Sequence, residues 1–98
     1  MESISVYTRH LSQVLKEVQD QGISIKLQNQ FGHWSDQFHT IEEIKELTHQ
    51  QFKTTVLILY EQVEENSTIV DVKSITEIEL KGPFFYGGKP YGIIKVVK

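Results

Sequence analysis

TIEEIKELTHQQF, Thr40 to Phe52, admits two readings, and the fold turns on which one holds. Thr40 with Glu43 three residues on is a capping-box pattern, and Ile41, Ile44 and Leu47 are spaced as one face of a helix. Local signals therefore favour a helix. In the competing reading Thr40 to Ile44 is extended and a polar excursion follows Glu43, because tertiary pairing overrides local propensity in so short a piece. The first reading gives an antiparallel sheet crossed by a second helix at 41–52. The second gives a small, mainly β barrel.

The flanking sequence supplies strands for either fold. Downstream, TTVLILY (Thr54 to Tyr60) is β-branched and almost continuously apolar, the pattern of a central strand covered on both sides. Glu64, Glu65, Asn66 and Ser67 read as a polar turn. Ile69, Val70 and Val72 begin another strand, and Ile75, Ile78 and Leu80 continue the pattern after a break near Ser74 that implies a tight turn or 3₁₀ step. Gly82 and Pro83 are expected to end that element, and Tyr91 to Val97 reads as a last strand. Upstream, Ile4, Tyr7, Leu11, Val14, Leu15 and Val18 place a surface helix over about Ile4 to Gln21, capped by Ser3 or Ser5 and stopped by Gly22. Ile23, Ile25 and Leu27 then alternate with polar residues as a half-buried strand. A turn at Phe31-Gly32 leads into His33, Trp34 and Phe38, a segment with the make-up of a returning strand.

Composition bounds the class. A chain of 98 residues, 39% hydrophobic and 23% charged, supports one hydrophobic core, so a single α+β, mainly β domain over residues 1–98 is expected. The lack of cysteine rules out disulfides and thiolate metal sites and fits a cytoplasmic protein. The N-terminal stretch has no apolar core of a signal peptide or membrane anchor, and no apolar run approaches the roughly 20 residues of a membrane span. At net charge −3, with Arg9 the sole arginine, general affinity for nucleic acid is disfavoured.

Read as strands, Ile23 to Leu80 resembles the Sm-like small barrels, and most specifically the YolD-like family of Gram-positive bacteria and their phages. The helix with Ile23-Ser-Ile-Lys-Leu27 looks like that family's helix and first strand. Gly32 followed by Ile41 and Ile44 looks like its turn glycine and G-x-I-x-x-I strand, and Ile69 to Ile78 like its closing pattern. His39 stands where the family has a second glycine, and Lys45 where it has Asp. The acidic, Rho-binding Rof family has a similar order of elements. The resemblance implies an N-terminal helix on a five-stranded Sm-like (SH3-type) barrel, a non-enzymatic regulatory or protein-interaction module, and a protein or RNA partner.

Candidate sites are few. His10, His33, His39 and His49 lack the spacing of a metal site, so neither metal nor cofactor is expected; His33 with His39, near Asp36, is the one grouping to which a small enzyme or metal protein would turn. No nucleophile elbow or phosphate loop is present. The segment Gly82 to Gly92, GPFFYGGKPYG, sets Phe84, Phe85, Tyr86 and Tyr91 among glycines and prolines, which reads as a loop and not a regular strand. Such aromatics either plug one end of the core or bind a partner. As a binding surface, Phe84, Phe85, Tyr86, Lys89 and Tyr91 take a protein first; the alternative is single-stranded RNA or DNA, with bases stacked on the rings and Lys89 on phosphate. Ile93 to Val97, at the chain end, is expected to offer an open edge for a homodimer.

Overall fold

The computed structural model describes residues 2–61 and 66–98, in which one helix and seven strands form two sheets around a common core. Glutamates 64 and 65 of the expected polar turn lie outside the described residues, while Asn66 and Ser67 already belong to the next strand.

The chain opens with a strand where a helix was expected. Strand β1, Glu2–Tyr7, runs parallel to the C-terminal strand β7, Lys89–Val97, with Ile4 against Ile94 and Val6 against Val96. Ile4 and Val6 fit a period of two, and β-branched residues gain more from a sheet neighbour than from a helix turn. The helix α1 thus begins at Thr8 and ends at Asp20, with Tyr7, not Ser3 or Ser5, as its N-cap. Leu11, Val14, Leu15 and Val18 are buried, the face their spacing implies. Gly22 takes φ +69°, Ile23 N–H donates to the Val18 carbonyl (3.2 Å) and Gly22 N–H to that of Gln19 (3.0 Å), a Schellman stop.

Strand β2, Ile25–Asn29, buries Ile25 and Leu27. The His33 to Phe38 stretch does not return as a strand; single bridges, Gln28 with Trp34 and Ile25 with His39, fasten it to β2 as a loop. Thr40 to Phe52 is not a helix. Strand β3, Thr40–His49, turns through Gln50-Gln51 into β4, Phe52–Glu61, and β5, Asn66–Asp71, completes a three-stranded antiparallel sheet. Nine paired positions along β3 outweigh one capping box, which is worth about 1 kcal/mol. The 3₁₀ step falls at Val72–Ser74, capped by Asp71, whose carboxylate accepts from Lys73 N–H at 2.9 Å.

Strand β6, Ile75–Tyr86, then passes through Gly82 and Pro83 without ending. Its register against β7 shifts between Glu79 and Phe84, where Gly82 at φ +95° carries an irregularity that accommodates the missing proline N–H. The aromatic segment is therefore a hairpin, closed by Gly87 and Gly88 at φ +60° and +81°. Strand order in this sheet is β1-β7-β6-β2. Strand β7 lies between β1 and β6, so the expected open C-terminal edge is filled by the N-terminus.

The sheets stay open. The order of elements from α1 to β6 is that of the expected barrel, but the strands form two sheets, one of four and one of three, joined at β2 by isolated bridges and not closed into a five-stranded barrel. One core, with α1 packed on it, takes Ile25 and Leu27 of β2, Ile41 of β3, Leu57 and Leu59 of β4, and Ile75, Ile78, Leu80 and Phe84 of β6. Leu57 and Leu59 of β4 face this core, whereas on its other face Val56 is buried outside the cluster, Ile58 is half-buried and Tyr60 exposed, so that face is covered only in part.

Candidate functional site

Where the sheets fail to close, a cleft of about 530 Å³ opens between β2, the 33–39 loop and the inner faces of β4 and β5. Its size is that of ligand and anchor pockets in general. Leu27, Leu59, Val70 and Ile75, all part of the core or packed on it, form an apolar floor. His33, Trp34, Asp36, Gln37 and His39 wall it from the loop, with Gln28, Asn29, Thr68 and Ser74 on the remaining sides.

The loop is held by backbone chemistry that leaves these side chains over the cleft. The Asn29 side-chain oxygen accepts from the N–H groups of Phe31 (2.9 Å) and His33 (3.0 Å), an Asx turn extended by one bond, and Gly32 at φ +81° lets the chain reverse. Ser35 N–H donates to Leu27 O at 2.9 Å while Leu27 N–H donates to the Ser35 hydroxyl at 3.0 Å. His39 and Ile25 exchange both backbone bonds at 2.8 Å. Trp34, 39% exposed, stands at the rim.

His33, Asp36 and His39, grouped in the sequence, thus share one cleft. Among the described residues no three carboxylates or imidazoles converge on a point fit for a metal ion. Neither imidazole has a side-chain hydrogen bond among the described residues, so no carboxylate orients a catalytic tautomer, and the Ser35 hydroxyl is engaged by Leu27 N–H.

The aromatic residues singled out in the sequence are divided. Phe84 is fully buried in the core, its ring 5.8 Å from that of Tyr86. Tyr86 and Tyr91 are half-buried against the same cluster, and Lys89 is exposed at the turn. Phe85 alone of the four rings faces solvent, at 54% exposure. The Gln21 side chain pairs with its backbone, donating to Phe85 O (2.7 Å) and accepting from Phe85 N–H (3.0 Å), as a strand neighbour would. Phe84 is thus a core residue, and Tyr86 and Tyr91 pack on the core. The floor of the cleft could not have been read from the sequence, because Leu59, Val70 and Ile75 come together only through the meander and the 3₁₀ step.

No helix among the described residues is long and apolar enough to cross a membrane. Comparison with known protein families, with characterised proteins and with solved structures returned no match.

Proposed function

We propose that this chain is a non-enzymatic interaction module whose cleft beneath the 33–39 loop receives an apolar or aromatic side chain from a protein partner. The observation that carries this reading is a cleft whose floor is made of core residues and whose rim is ringed by hydrogen-bonding groups. Such a lining suits an anchor residue buried to its base with its main chain bonded at the rim. A protein partner is favoured over nucleic acid because no Lys or Arg lines the cleft, and phosphate neutralisation is what nucleic-acid affinity requires. At the β6–β7 hairpin only Phe85 offers a free ring, too little for successive bases to stack on.

An Sm-like relationship is part of the same proposal. Its support is the order helix, strand, three-stranded meander, 3₁₀ step and strand, with β2 antiparallel to β6; β1 and β7 are additions that widen the sheet. The YolD-like resemblance rests on that order and on the residues that carry it, and with it a regulatory role in a Gram-positive bacterium or its phage.

Trp34 is the single tryptophan, so its fluorescence reports on the cleft directly. Peptides selected by phage display against the intact protein should share one apolar or aromatic anchor, shift that fluorescence, and lose at least ten-fold in affinity for Trp34→Ala. Selected peptides that bind Trp34→Ala unchanged, or a fluorescence response to homopolymeric RNA but to no peptide, would refute the reading.

A further inference from the structure

Strand β5 forms one edge of the three-stranded sheet. Strand β4 pairs along one side of it, and among the described residues no backbone hydrogen bond reaches its other side. Ser67, Thr68 and Ile69 are exposed, so that edge meets solvent. The same strand borders the cleft. Alternation puts Thr68 and Val70 on the inner face, where both line the cleft, and Ile69 on the outer face, 65% exposed. The 33–37 loop and Asn29 supply further lining. Asp36 of that loop is exposed and has no hydrogen bond or ion pair among the described residues. Apart from the imidazoles, it is the one ionisable side chain of the lining.

We propose that the protein partner enters as an extended segment that adds to β5 as a fourth strand, drops an apolar side chain into the cleft and carries a lysine or arginine that meets Asp36; this rests on the cleft as the binding site. An added strand lies about 4.8 Å beyond β5, and its side chains alternate. Residues two apart therefore point inward beside Thr68 and Val70, while the residue between them lies beside Ile69. Main-chain bonds to the edge supply affinity, and the pocket chooses the inward side chain. Charge favours a different protein over a second copy as the occupant. Of this chain's own edge strands, β1 and β5 carry no Lys or Arg, and β3 sets Lys45 among Glu42, Glu43 and Glu46. Strand β2, which holds Lys26, is fastened to the 33–39 loop by its bridges. None of these presents a net positive strand to a carboxylate.

Peptides selected by phage display against the intact protein test this. Beside the apolar anchor they should share a lysine or arginine. Methylating the backbone nitrogens of one such peptide in turn should cost at least ten-fold in affinity at every second position and little at those between. Alternate amides of residues 67–71 should slow in hydrogen exchange when it is bound. Asp36→Lys, an exposed substitution, should weaken the peptide at least ten-fold, and replacing the peptide's basic residue by glutamate should restore binding to that variant. Backbone methylation tolerated throughout, or felt at a helical spacing, in a peptide that still needs Trp34 overturns strand addition and leaves the cleft as the site. Peptides without a basic residue, or indifferent to Asp36→Lys, overturn the partner's assigned charge and with it the proposal. A chain that self-associates and releases its second copy as the peptide binds overturns the choice of occupant. Peptides that bind Trp34→Ala unchanged overturn the strand and the cleft together.

Discussion

Two residues separate packing from exposure within a single dipeptide. Phe84 is fully buried and Phe85, its neighbour on the strand, points the other way into solvent. Removing a buried phenylalanine costs about 3–5 kcal/mol, so Phe84→Ala should lower the stability measured by urea unfolding by that amount. Phe85→Ala should remain within about 0.5 kcal/mol of wild type. Equal losses at the two positions would contradict the register of β6. Gln21 holds the Phe85 backbone with two bonds from a partly solvated side chain, and Gln21→Ala should cost about 1 kcal/mol. Faster hydrogen exchange at the Phe85 amide is the specific sign of that loss. Which of the four rings would be buried was not legible in the sequence, because glycine and proline around them masked the alternation on which such a reading depends.

At the scale of elements, periodicity identified the pieces and pairing decided their type. The buried face of α1, the Gly22 stop, β2 and the 3₁₀ step could be read from residues alone, since each has its signal within a few positions. Thr40 to Phe52 and Ile4 to Tyr7 could not. Both satisfy a helical spacing, and both are strands because a partner far along the chain offers more than a local turn does. The turn between β3 and β4 carries Gln50 at φ +57°, a conformation that costs a side chain about 1 kcal/mol and costs glycine almost nothing. Gln50→Gly should therefore raise the thermal midpoint by a few degrees, and a fall instead would place the turn elsewhere. Strand β1 makes a test of its own. It covers the edge of β7 and buries its own Val6, so deletion of residues 1–7 should destabilise the fold and leave β7 open to pairing with other chains. A truncated chain as stable and as soluble as the whole would show β1 to be dispensable.

For the whole molecule, the proposed function rests on sheets that do not close into a barrel. Leu27, Leu59 and Ile75 are buried in the core and Val70 packs on it, and the cleft they floor is walled by a loop fastened at a few backbone positions. His33, Asp36 and His39 of that wall were legible in the sequence as a group, while Trp34 read only as part of a strand and the floor was not legible, because it is assembled from strands remote from them along the chain. The cleft and the outer face of the β3–β4–β5 sheet lie on opposite sides of β4, with Leu59 turned to one and Ile58 to the other. The central claim is that the cleft, and not the β6–β7 hairpin, receives a protein partner. Its most direct test is to titrate a peptide selected against the whole protein into the isotopically labelled chain and follow the backbone amides. Binding in the cleft should move the signals of residues 27–29, 33–39 and 68–75 and leave 84–91 in place; movement confined to 84–91, with Trp34 unaffected, would contradict it.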